Sequence, residues 1–324
     1  MKHNLYFNSK FLLAFLLLFI ISYTLQAQDF NFKSSWKVGI EKKITRITTE
    51  KKYEADSLIE SSELIENTLV KVISETKDSY TLEILKENQA MILTKVFYEE
   101  IEQELPKYKM LKLIYEVSKK TGEYKLLNWT EVKNLVDESL EQIEKTLEGT
   151  EYDGMGSLIS LSVISSFMNE KATLEYMKNE IGFIFIPFSQ TFTLNDTISI
   201  TDSGTNPFNS AQGLSAQTHL ILQKVENNTA TFKQIMEIDM SEVIDMVKSM
   251  MESMTKSMNL DENSRAEKLK EIDEIEMAMN HEQVIIFDIE SSWVKSVEMT
   301  MKVSGFDPQK GKRLDVTSYI VTIE

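Results

Sequence analysis

Residues 69–87, LVKVISETKDSYTLEILKE, decide how this chain is read. Two runs rich in apolar and β-branched residues flank the polar turn TKDS, which is the pattern of a β-hairpin. The same figure returns at residues 219–239, HLILQKVENNTATFKQIMEID, with Asn227 and Asn228 at the turn and a Thr-rich returning arm. Working outward, residues 36–49 partly alternate and predict a strand. Residues 89–105 predict a helix stopped by Pro106, and residues 109–128 a further hairpin turning near Thr121 and Gly122. At Asn128 the period changes. Asn128 with Glu131 three later predicts a capping box, and Val132, Leu135, Val136, Leu140, Ile143 and Leu147 recur at helical spacing up to Gly149.

The stretch YDGMGS then breaks the chain, residues 158–177 predict another helix, and GFIFIPF at 182–188 predicts a short apolar strand. After the second hairpin a helical region is expected over 241–280. Residues 284–304, VIIFDIESSWVKSVEMTMKVS, then parallel 109–128. The order strand, hairpin, helix, hairpin thus occurs twice, which predicts two related halves, 28–180 and 181–324. With only 10 Gly and 4 Pro in 324 residues, no flexible linker separates them. The expected class is α+β: curved antiparallel β-sheets made from long hairpins, with helices inserted between them.

The first residues read differently. Lys2 and Lys10 precede an apolar run at 11–21, and a short segment ends in Leu25, Gln26 and Ala27. This is the layout of a secretory signal peptide over 1–27, cleaved after Ala27. The apolar run is shorter than the roughly 20 residues a membrane span needs. The mature chain is therefore expected to be exported, to the periplasm or the exterior, and not to span a membrane. There is no cysteine, so neither disulfides nor an acylated N-terminal Cys are available, and the fold must stand on its core. Removal of the leader takes the net charge from −16 to −18, and only Arg46, Arg265 and Arg313 are arginines. Such a surface is unsuited to nucleic acid, whose binding is dominated by cation–phosphate contacts.

Five of the 17 methionines fall within residues 245–258, DMVKSMMESMTKSM. On a helical wheel Met246, Met250, Met251, Met254 and Met258 share an arc of about 160° with Val243, Ile244 and Val247, one apolar face of an amphipathic helix. Thioethers also select Cu(I), but these are spread along the helix with no His or Cys among them. Core packing, or an adaptable apolar binding face, is the better reading. A second helix, capped by Ser264 with Glu267, is expected to complete a Met-rich helical hairpin over 241–280.

Signals for catalysis are sparse. Beyond the leader only His219 and His281 are histidines, in no metal-ligand spacing, and with no Cys the usual zinc sets are unavailable. No G-x-S-x-G elbow occurs, and GMGS at Gly154 lacks the Lys-Ser/Thr of a phosphate loop. Asp153 and Asp202 are the acids in glycine-containing loops. The stretch DSGTN at 202–206 lacks the spacing of an EF-hand. Asn128, Asn195 and Asn227 each begin N-x-T, a glycosylation acceptor where the host supplies the enzyme. No cofactor and no enzymatic activity is expected.

In its order of elements, across 36–324, the chain resembles the exported carriers in which a curved sheet cups apolar cargo under helices, such as lipoprotein carriers of the LolA type. It also resembles envelope proteins with repeated sheet-and-helix halves. The resemblance implies a non-enzymatic binding protein for a lipid-like ligand or an apolar partner segment. The alternatives are an envelope interaction module without ligand, then a hydrolase. Candidate ligand-binding residues are Met246, Met250, Met251, Met254, Phe183 and Phe185.

Overall fold

The computed structural model describes residues 28–324 except 168, 205–213, 258–269, 271, 273–275 and 308–310. The leader, its end at Ala27, and the capping pair Ser264 and Glu267 lie outside the described residues. In chain order the elements are β1 (Asp29–Phe30), β2 (Glu41–Glu54), β3 (Ser57–Glu75), β4 (Ser79–Glu87), α1 (Gln89–Lys95), α2 (Ile101–Glu104), β5 (Met110–Ser118), β6 (Tyr124–Leu126), α3 (Trp129–Leu147), α4 (Met155–Phe167) and α5 (Glu170–Ile181). Then follow β7 (Phe192–Thr193), β8 (Thr197–Gly204), β9 (Leu214–Glu226), β10 (Thr229–Ile238), α6 (Ser241–Ser257), β11 (Glu276–Asp288), β12 (Trp293–Asp307) and β13 (Gly311–Ile323).

Both hairpins that govern the reading form. Val70 pairs with Ile84 and Val72 with Leu82, and the Thr76 hydroxyl accepts from the Ser79 amide at 2.9 Å to close the turn. Asn227 and Asn228 take φ of 47° and 64°, the left-handed pair a tight two-residue hairpin turn needs. The β2–β3 turn uses the same geometry with Ala55 and Asp56, φ 46° and 66°. Its sequence carries no Asn-Gly or Asp-Gly signal; β2 spans Glu41–Glu54 rather than the expected 36–49, and β3 begins at Ser57, well before residue 69.

The strands make one antiparallel sheet, curved and unclosed, in the order β6-β5-β4-β3-β2-β13-β12-β11-β10-β9-β8. Chain order is retained within two meanders, β2 to β6 and β8 to β12, laid side by side and running the same way. The last strand, β13, fills the seam between them. A separate two-stranded ribbon pairs β1 with β7.

One face of the sheet is apolar. Tyr80, Leu82 and Ile84 on β4, Leu111, Leu113, Tyr115 and Val117 on β5, and Leu220 and Leu222 on β9 are buried, while the alternate residues are not. This inner face packs beneath Val132, Val136, Leu140, Ile143 and Leu147 of α3 and the aromatic segment 182–192 in one cluster. Residues 29–38 strap the same cluster. Trp36 stacks on Trp293 at 4.7 Å, and its indole donates to the Ser292 carbonyl at 2.7 Å. Phe32 makes edge contacts with Phe232 and Phe287, both at 5.5 Å.

Several helical expectations change in the structure. The 89–105 helix is two short ones. Asn88 caps the first, its side chain accepting from the Ala90 amide at 3.1 Å. The expected 158–177 helix is divided into α4 and α5. Asn128 does not cap α3: its Oδ1 accepts from the Ile114 amide at 2.9 Å and its Nδ2 donates to the Lys112 carbonyl at 3.0 Å, tying the helix start to β5. GFIFIPF is two 3₁₀ turns, Gly182–Ile184 and Ile186–Phe188, rather than a strand. Its aromatics are taken up by core pockets, not by ladder pairing. The helix expected to end at Asn280 gives way to β11 at Glu276, because Met277, Met279 and His281 alternate with period two.

Candidate functional site: a methionine-lined band on the inner sheet face

The central strands are long, up to 19 residues, and carry the sheet past the helical layer. A second small cluster sits at the far end, where Val243 and Ile244 of α6 meet Leu214, Ile238, Met240, Met277 and Met279. Between the two clusters, cross-strand pairing lays down rows on the inner face. One row reads Tyr319, Met299, Gln283, Gln234, Leu220; the next reads Thr317, Met301, His281, Met236, Thr218. Met236, Met277, Met279, Met299, Met301 and His281 are each half-buried. Where the band meets α6, a groove of about 370 Å³ is lined by Ile238, Met240, Ile244, Met277 and Met279 together with the polar residues Glu237, Asp239, Ser241 and Asn280.

The polar groups of this band are short of partners. Among the described residues, His281 Nε2, Thr218 Oγ1 and Asp315 Oδ1 are buried without a hydrogen bond, an uncommon state for buried polar atoms. Gln283 and Gln234 bond to each other across β10 and β11. Burial alone holds the His281 imidazole below its ordinary range, which favours the neutral ring, in which one nitrogen is an acceptor.

On the other side the band ends at a charge cluster. Glu180 of α5 accepts from Arg46 Nη1 at 2.7 Å and from Lys86 Nζ at 3.0 Å, and its carbonyl accepts from Arg46 Nη2 at 2.6 Å. Burial by itself would raise the Glu180 carboxyl, but Lys86 and Arg46 outweigh it and hold the group below the usual carboxylate range. Burial, then the nearby Glu180 charge, pushes the Glu66 carboxyl up. The Arg46 guanidinium also sits 5.4 Å from the Tyr319 ring centre.

Of the residues singled out from sequence, Met246 and Met251 lie on α6 with 40% and 38% of their surface exposed. Met250 and Met254 belong to the same helix; their side chains lie outside the described residues. Phe183 and Phe185 are buried in the main core, where Phe185 packs on Tyr124 at 5.1 Å and Trp36 at 6.2 Å. Their rings are thus committed to packing in the main core. The two histidines occupy opposite faces of the sheet. His219 points outward and its Nδ1 meets the Ser199 hydroxyl at 2.9 Å, whereas His281 lies in the inner row. Asp153 is exposed in the turn before α4, accepting from the Gly149 amide at 3.3 Å. Among the described residues no group of three or more His, Asp or Glu could hold a metal ion, and no helix is long and apolar enough to cross a membrane. The strand methionines were missed as a set. They are scattered over β10 to β12, and only pairing brings them together.

No family model matches the chain, and no curated protein matches it, so no family match supports the LolA-type resemblance. Among solved structures, one describing lipid–protein interactions in lipovitellin is 9% identical over 90% of this chain, with a TM-score of 0.39. This chain spans 25% of that one. A DUF1329 family protein from Desulfovibrio piger is 7% identical, covering 96% of this chain and 90% of its own, with a TM-score of 0.16. A COG4313 outer membrane channel from Pseudomonas putida is 6% identical, covering 90% and 98%, with a TM-score of 0.15. Likenesses this slight carry no argument, and the functional reading rests on the geometry above.

Proposed function

We propose that this chain is an exported, non-enzymatic binding protein that takes an apolar, lipid-like ligand along the inner face of its sheet. The observation that carries the reading is the band itself. Five strand methionines point to one face at half burial, Met236, Met299 and Met301 between the two apolar clusters and Met277 and Met279 at the edge of the smaller one. A core would be filled to native density there. Flexible thioether side chains instead give a surface that accommodates varied apolar shapes. The groove beside α6 is within the size range of small-molecule sites, about 300–1,000 Å³. The separation of His219 from His281 by the thickness of the sheet speaks against a shared His-dependent active centre. Export follows from the leader-like residues 1–27.

Native mass spectrometry of protein purified from its own host, with titration of an environment-sensitive apolar dye, tests the reading. One saturable dye site displaced by a long-chain fatty acid is expected. Met299→Glu, which sets a charge in the middle of the band, should abolish dye binding while leaving the far-ultraviolet circular dichroism unchanged. Absence of both co-purified lipid and a saturable site would refute a ligand-binding role.

A further inference from the structure

We propose that the floor of the band is a binding site for a soft monovalent metal ion, Cu(I) or Ag(I), built from His281 and the methionines around it. In the sheet register His281 stands directly between Met236 on β10 and Met301 on β12. Directly opposed residues on one face have Cβ atoms about 4.5–5.5 Å apart, and diagonal ones about 7–8 Å. Met299 is diagonal to His281 across β12, and Met279 is two residues before it on β11, so both share its face. One imidazole is therefore ringed by four thioethers, each on a long flexible side chain. The imidazole Nε2 is buried and has no hydrogen-bond partner among the described residues.

The donor set selects the ion. Thioether sulfur and neutral imidazole suit Cu(I), whereas hard divalent ions ask for carboxylate or carbonyl oxygen. Structural Zn(II) asks for four Cys, His or carboxylate ligands. The inner face around His281 offers one imidazole and no thiolate. Asp315, opposite Val303 on β13, lies on the same face two strands from His281, in the neighbouring row. Ordinary packing would be served equally well by leucine at the four methionine positions, and that equivalence is what makes the idea testable. The site lies in the same band as the proposed apolar ligand but depends on sulfur rather than on apolar area.

The test uses the full exported chain and Ag(I), an air-stable probe of the same ligand preference, followed by Cu(I) under reductant. Binding is read by competition with a chromophoric chelator, and by NMR of ε-¹³C-labelled methionine methyls. One tight equivalent is expected, with shifts at Met236, Met301, Met279 or Met299. Loss of an outer-shell partner of a metal site costs about 10- to 100-fold in affinity. His281→Leu, or Met236→Leu with Met301→Leu, removes ligands and should weaken Ag(I) by more than about 100-fold. Met246→Leu with Met251→Leu on α6 should leave affinity unchanged. The site is refuted if no Ag(I) binds at micromolar concentration, if the band variants bind as the parent does, or if the α6 variant loses the ion instead. Because leucine preserves the oily surface, apolar dye binding should survive in the band variants. Dye binding without silver binding sinks the metal site alone; silver binding without dye binding sinks the carrier reading alone.

Discussion

At the scale of single residues, Glu180 ties α5 to β2 and β4 through its ion pairs with Arg46 and Lys86. It answers two cations, one of them, Lys86, almost fully buried at 3% exposure. Removing one partner of a buried pair leaves an uncompensated charge and costs about 3–5 kcal/mol, so Glu180→Gln should lower the unfolding free energy by that order in urea titrations. The sign of the pH dependence follows from the held-down carboxyl. Its contribution is complete above the ordinary unfolded value of 4.5 and is lost as pH falls through the lower folded one. The native protein should therefore lose more stability than the Gln variant on acidification below about pH 4.5, where the unfolded chain takes up more protons. Gly156 is a second sensitive point. A Cβ there would stand 2.9 Å from the Glu144 Cα of α3. Gly156→Ala should cost about 1–3 kcal/mol by forcing α3 and α4 apart, read as a lower thermal midpoint.

Elements respond differently according to what they bury. Helix α6 was legible as amphipathic from the spacing of Met246, Val243 and Val247. The structure shows Val243 buried and Met246 and Met251 substantially exposed, so the apolar face is broader than what it packs against. Met246→Gln with Met251→Gln should change stability by no more than about 0.5 kcal/mol, as at other surface positions, measured by chemical denaturation. A loss of several times that would mean that the helix face is covered. The hairpins were legible because β-branched residues and a polar turn encode them locally. The β2–β3 hairpin was not, since Ala55 and Asp56 adopt left-handed φ without a sequence that advertises it. GFIFIPF misled for a related reason: an apolar run of that length reads equally as a strand or as a buried irregular segment.

For the molecule as a whole, the strap over residues 29–38 closes the core. Trp36 spans Tyr80, Phe188 and Trp293, elements from both meanders, and so couples them. Trp36→Ala should cost about 3–5 kcal/mol, the range for large aromatics in cores. Differential scanning calorimetry would show it as a lowered single transition if the sheet unfolds as one unit. By itself the sequence determined the α+β class, the principal hairpins and the amphipathic helices α3 and α6, because these are encoded in local periodicity and turn chemistry. It could not determine which strands lie side by side. The burial of Phe183 and Phe185 depends on how an irregular segment packs against the sheet. The joining of β2 to β13 and the gathering of Met236, Met279, Met299 and Met301 around His281 depend on pairing register between segments far apart in the chain. Register is set by how the inner face packs as a whole, since a slip of one residue would turn every one of those side chains to the opposite face.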